Sequence, residues 1–227
     1  MVDRRCKLTG RILKILCVPF LSATAAVTAG AAAIAGNGDS TAWNFRVYLD
    51  DSEIGYHNFL LTDEGGVRRL TTEAEFEVRF LFITAYRYEH VNQETWQGDC
   101  LQDIRSETDA NGRKFEVSGM QGPGGFELEV ADGRNEVPGC VKTFAYWNPD
   151  ILDEPELLNS QTGEIVPVQV EAVALETLTV RGKETPAQRY RLLAKNMELD
   201  IWYSEDRRWL ALESTVKGGR KLRYELS

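Results

Sequence analysis

Leu70-Thr71-Thr72-Glu73-Ala74-Glu75-Phe76-Glu77-Val78-Arg79-Phe80-Leu81-Phe82 is a run in period two. Leu70, Thr72, Ala74, Phe76, Val78, Phe80 and Phe82 fall on one face, and Thr71, Glu73, Glu75, Glu77 and Arg79 on the other. In a β-strand successive side chains point to opposite faces, so the pattern predicts a strand with one buried and one wet side. At about 3.3 Å per residue such a strand reaches about 43 Å, a length found in large curved sheets and barrels. A one-residue slip would bury the glutamates, which fixes the register.

The same period continues outward in both directions. Trp43, Phe45, Val47 and Leu49 alternate with Asn44, Arg46, Tyr48 and Asp50. Glycine and Asx turns recur at short intervals, among them Glu64-Gly65-Gly66, Asp109-Ala110-Asn111-Gly112, Asp132-Gly133, Arg181-Gly182 and Lys217-Gly218-Gly219. These residues tolerate the positive φ that hairpin turns require. Alternating runs lie between them at Phe126 to Val130, Val166 to Val173, Gln188 to Leu193, Leu199 to Tyr203, Trp209 to Glu213 and Leu222 to Leu226. The expected fold is all-β: one large curved antiparallel sheet or open half-barrel of about ten to twelve strands. Only Pro138 to Ser160 breaks the meander, and its Pro149 and Pro155 around Ile151, Leu152, Leu157 and Leu158 predict a loop with a short helix, placed over one opening of the sheet.

Composition sets the compartment and excludes classes of partner. The chain has 227 residues, 43% hydrophobic and 27% charged, with a formal charge of -9. An acidic surface does not displace the counterions of a phosphate backbone, so nucleic acid is excluded as an expected partner. Arg4, Arg5, Lys7, Arg11 and Lys14 precede an uncharged, Ala-rich run from Ile15 to Ala35, the layout of a secretory signal over residues 1–36 with cleavage between about residues 25 and 36. The alternative is an uncleaved anchor, because 21 uncharged residues just reach across a bilayer. Pro19 and the small-residue end favour cleavage, leaving one β domain over residues 37–227 with no transmembrane segment, in the periplasm or outside the cell.

Removal of the signal takes Cys6 and Cys17 with it. Cys100 and Cys140 then form the one possible pair in an oxidising compartment, which predicts a disulfide between them. No C-x-x-C or H-x-x-x-H spacing accompanies them, and neither a metal nor a cofactor is expected. The histidines are His57 and His90. If their strands place them on one face they can do acid-base work; the alternative is one satisfied structural histidine and one surface histidine. No G-x-S-x-G, H-E-x-x-H or phosphate-loop motif is present, so an enzyme is the third expectation.

The buried face of the long strand leads the functional reading. Phe76, Val78, Phe80 and Phe82, with Trp202 from the later Trp202-Tyr203 and Trp209 cluster, are either packed core or the wall of an apolar concavity for an acyl-like ligand. Two expectations follow: an exported envelope protein that carries an apolar molecule, or a structural module with a packed core that engages an envelope protein.

Trp96-Gln97-Gly98-Asp99-Cys100-Leu101, the Ser106 to Gly112 hairpin and Asp200-Ile201-Trp202-Tyr203 with Trp209 resemble an uncharacterised family of exported proteobacterial proteins, a domain of unknown function. Glu53-Ile54-Gly55-Tyr56-His57 and Ala145-Tyr146-Trp147-Asn148-Pro149 agree with that pattern, and the resemblance covers about residues 42 to 227. The late strand is also similar, at the level of fold, to periplasmic lipoprotein-carrier half-barrels, which hold acyl chains in an apolar hollow. Neither likeness implies a catalytic residue on this chain.

Overall fold

The computed structural model describes residues 39–80, 83–195, 197–216 and 218–227. The expected signal at 1–36 and the side chains of Phe80 and Phe82 lie outside the described residues. Eight strands run as an uninterrupted meander: β1 (Asp39–Leu49), β2 (Ser52–Glu64), β3 (Val67–Phe80), β4 (Ile83–Gln97), β5 (Cys100–Ala110), β6 (Arg113–Gln121), β7 (Phe126–Val130) and β8 (Gly133–Val137). An inserted segment, 138–168, carries a single 3-10 helix turn at Pro149–Asp153 and a two-stranded sheet of β9 (Glu156–Leu158) and β10 (Ile165–Pro167). The meander then resumes through β11 (Gln169–Val180), β12 (Lys183–Ala194), β13 (Met197–Ser204), β14 (Trp209–Val216) and β15 (Arg220–Leu226).

Both meanders belong to one antiparallel sheet of thirteen strands, joined where β15 pairs with β1 through Phe45 opposite Leu226 and Leu49 opposite Leu222. Its edges are β8 and β11, and it does not close into a barrel. The thirteen strands exceed the expected ten to twelve, and the run from Val166 to Val173 adds a further division at Val168, whose N–H turns away to donate to the Pro155 carbonyl at 2.9 Å.

β3 forms because its alternation matches the pleat. Leu70, Thr72, Ala74 and Phe76 are buried while Thr71, Glu73 and Glu75 are exposed. The alternation stops at a bulge between Val78 and Arg79, so Val78 is only half-buried. In β2, Gly55 lies against the Glu75 backbone, where a Cβ would sit 1.8 Å from the carbonyl oxygen. Only glycine permits that approach.

The sheet curls around one core. Phe45 and Trp209 from the centre, Trp96, Ile104 and Phe126 from one arm, and Leu192 and Ile201 from the other belong to a single buried cluster. The inserted segment fills the remaining hollow with Ile151, Leu157 and Leu158, each at most 1% exposed. The proline-bounded insertion therefore lies on the concave face, and its short helix is the 3-10 turn, capped by the Asn148 side chain accepting from the Asp150 N–H. Lys142 pairs with Glu154 at 2.7 Å within the segment, and Arg207 of the β13–β14 turn pairs with Asp150 at 2.8 Å, tying the segment to the sheet.

The expected disulfide is present: Cys100 at the start of β5 is bonded to Cys140 at the start of the insertion, with Cα atoms 5.0 Å apart. Beside it the Leu101 N–H donates to the Val141 carbonyl at 3.0 Å. The bond closes a loop of 40 residues in sequence separation, which constrains the unfolded chain by about 4 kcal/mol in the chain-entropy model. Replacing both cysteines with serine is expected to lower stability by about 2–4 kcal/mol in a urea titration, without changing the far-ultraviolet β spectrum.

Candidate functional site

The concave wall is apolar at its ends and polar in the middle. On β3, β4 and β5, three neighbouring strands in register, the inward positions read Thr72 opposite Asn92 opposite Ser106, with Ala74 opposite His90 opposite Thr108 one step along. Leu70 opposite Glu94 opposite Ile104 lies one step the other way. All six polar residues in these rows are buried. Buried polar groups are normally paired, so unpaired ones that share a single space mark a candidate site.

His57 enters from β2. It is opposite Ala74, which is itself opposite His90, so the two histidines flank a single methyl group. Their strands are not neighbours, yet the small side chain between them lets the rings meet: the centroids are 6.3 Å apart with planes at 84°. His57 stacks on Phe59 at 4.2 Å, its Nδ1 lies 3.4 Å from the Tyr224 hydroxyl, and its Nε2 is buried with no hydrogen bond. His90 Nδ1 lies 2.8 Å from Thr108 Oγ1. Both imidazoles are held neutral. Burial, and then the neighbouring His90, pushes His57 well below its ordinary range, and burial lowers His90 to about 4.

Glu94 is the buried acid of the site. Its Oε1 accepts from Asn92 Nδ2 and its Oε2 from Trp96 Nε1, both at 2.8 Å, and the Thr143 side chain adds a third bond. Burial raises its pKa against those three bonds, which lower it.

These groups open onto a chamber of about 90 Å³. Its floor is His57, Phe59, Leu70, Thr72, His90, Asn92 and Glu94; its roof is Thr143 to Trp147 and Asn159 to Gln161 of the insertion, with Met197 at one side. Such a volume corresponds to about three waters or one small organic molecule. His57 Nε2, Thr72 Oγ1, Asn92 Oδ1 and Trp147 Nε1 line it without a hydrogen bond inside the protein. Gly163, at φ +73, seats the roof: a Cβ there would stand 2.2 Å from Val130 Cγ1.

Among the described residues, Phe76 and Trp202 of the expected ligand wall do not come together. Phe76 stacks on Tyr88 at 5.1 Å and packs with Val47 and Ala74, at the far end of the concave face. Trp202 lies between Ile201 and Tyr203, which face the main core, and so points to the opposite face. There it packs with Ala187 and Leu210 and donates to Glu176 at 3.1 Å. One ligand cannot touch both Phe76 and Trp202. Thr72, Asn92 and Glu94 carried no sequence signal, because each reads as an ordinary strand residue until the register sets it beside the others.

Together these features define a β-barrel-like antiparallel unit with a capped polar chamber on its concave side. The chain belongs to the family described as Domain of unknown function (DUF6134), whose model matches residues 45–227. Among solved structures it is similar to the beta-barrel-like protein of the domain of unknown function DUF1849 from Brucella abortus. The TM-score is 0.61 at 8% identity, covering 82% of this chain and 94% of that one. No curated protein matches the sequence. Among the described residues no helix is long and apolar enough to cross a membrane, and no three metal-ligating side chains cluster.

The buried histidines make stability depend on pH. As pH falls through about 6.5 the unfolded chain protonates at His90, whereas the folded chain resists until about 4, so stability is lost across that window. The loss from His90 approaches about 3 kcal/mol at pH 4, and His57 acts in the same direction. Glu94 acts oppositely, because its raised pKa costs stability as pH rises above the ordinary carboxylate range. His90→Asn is expected to flatten the acid side of the stability curve, measured by denaturant titrations between pH 4 and 7. An unchanged slope would mean that the imidazole is solvated.

Proposed function

We propose that this chain is an exported envelope protein that binds a small molecule in the chamber between its polar concave wall and the inserted segment. The observation that carries the reading is the set of buried polar atoms, His57 Nε2, Thr72 Oγ1 and Asn92 Oδ1, that line a roofed, partly open space without partners. Leaving such groups unpaired costs about 1–3 kcal/mol each, a cost that a fold tolerates where a ligand or ordered water satisfies them. Export is supported by the basic, Ala-rich N-terminus and by the Cys100–Cys140 disulfide.

The acyl ligand expected from the sequence is less well supported. A fatty chain needs a continuous apolar hollow, whereas the chamber floor is polar and Phe76 is engaged with Tyr88. An enzyme using His57 and His90 is a second reading, favoured by two neutral imidazoles meeting over Ala74.

Native mass spectrometry of protein purified from its own envelope tests the proposal. A retained mass of small-molecule size that disappears in Gly163→Ala, where the roof is forced from Val130, is the expected result. The bare chain mass under all gentle conditions, with no small molecule protecting the protein against thermal unfolding, would remove ligand binding and leave the interaction module.

A further inference from the structure

We infer that the chamber is a receptor for a small primary ammonium ion, with Glu94, Asn92 and Thr72 as its acceptors; this rests on the ligand-binding reading above. The inference comes from the chemistry of the groups that converge. Thr72 and Asn92 are directly paired across β3 and β4, and Glu94 is the next inward residue along β4. Side chains in such positions lie about 5–8 Å apart on one face, within reach of a single compact ligand.

The set is rich in acceptors. Asn92 Nδ2 is committed to Glu94, so its free Oδ1 can only accept. Thr72 Oγ1 has no partner and offers two lone pairs. Glu94 has partners among the described residues that are all neutral: an amide, an indole and a hydroxyl. A carboxylate has about four lone-pair sites, so one remains after three bonds. A buried acid held by neutral donors alone is ionised at a large desolvation cost unless a cation joins it.

An ammonium group supplies what is lacking. It brings three N–H donors for Glu94, Asn92 Oδ1 and Thr72 Oγ1, and a positive charge for a carboxyl whose direct partners are all neutral. Trp147 in the roof already carries the Arg68 guanidinium over its ring at 4.7 Å, so the hydrogen-bond acceptors of the floor, not ring faces, carry the preference for a cation. Trp147 Nε1, which also lacks a partner, offers one donor to an oxygen elsewhere on the ligand. Anions fit poorly, because the free Asn92 Oδ1 beside the Glu94 carboxyl is an acceptor and offers an anion no donor. The acidic chain, at -9, raises the local concentration of small cations.

Three probes of matched size separate the charge classes: ethanolammonium, ethylene glycol and glycolate share a two-carbon skeleton and a hydroxyl and differ at the other end. Each is titrated into the full β unit at constant ionic strength, and binding is followed by NMR through the indole N–H of Trp147 and the side-chain amide of Asn92. Saturable binding of ethanolammonium alone is expected, weakened about tenfold or more in Glu94→Gln. Thr72→Val, which removes an unpaired hydroxyl without changing shape and should fold as the parent does, is expected to weaken it as well. Binding of glycolate or ethylene glycol in preference to ethanolammonium overturns the ammonium inference and leaves ligand binding standing. Ethanolammonium binding that is indifferent to both substitutions overturns it too, by placing the ion elsewhere. No response to any of the three overturns it, and the native mass spectrum then decides the broader proposal separately.

Discussion

A sheet that curls but does not close must fill its own hollow, and everything else in this structure depends on how that is done. The thirteen strands turn their apolar faces inward, and the opposing arms do not meet across the middle. The insertion supplies the missing material. Ile151, Leu157 and Leu158 lie at the centre of the core although they come from the one stretch that interrupts the meander. Burial at about 25 cal/mol per Å² makes this contact an adhesive between the arms, alongside the β15–β1 ladder. The disulfide then fixes the start of the insertion to β5, so that the filler is covalently part of the wall.

That arrangement also explains why a polar site exists where an apolar row was expected. The filler packs tightly against the ends of the concave face and leaves a small chamber over Thr72, His90, Asn92 and Glu94. Polar groups survive there because Glu94 is surrounded by donors and the imidazoles stay neutral. Were the hollow filled by an acyl chain instead, the same residues would be a liability of several kcal/mol. The chamber and the filler are thus one device, and Gly163 is where the two fit together.

Much of the architecture could be read from residues in order. The alternation from Leu70 to Phe76, the turn chemistry at Asp109 to Gly112 and the pairing of Cys100 with Cys140 appear as expected. The site could not be read in the same way. Thr72 and Ala74 look like minor members of an apolar row, and only the register of three strands shows that they stand beside Asn92 and His90. Trp202 was misleading for the opposite reason: an aromatic next to Tyr203 suggests a shared cluster, but neighbours in a strand face opposite ways. The short β9 and β10 were hidden among prolines, because three-residue strands carry no periodicity to detect.

An open sheet has two borders, and each is a row of unsatisfied backbone groups that invites another chain to pair. The β8 border is five residues long and carries Arg134 and Glu136, which gives a second molecule little to grip. The β11 border is the greater hazard: it runs for twelve residues and presents Leu175, 81% exposed. Its protection is the bulge between Ala172 and Ala174, which breaks the ladder where a straight template would be most adhesive. Closing into a barrel would have abolished both borders, but a closed wall has no gap through which a filler segment can enter. The irregular border strand is what crowding among other chains demands of a sheet built to stay ajar.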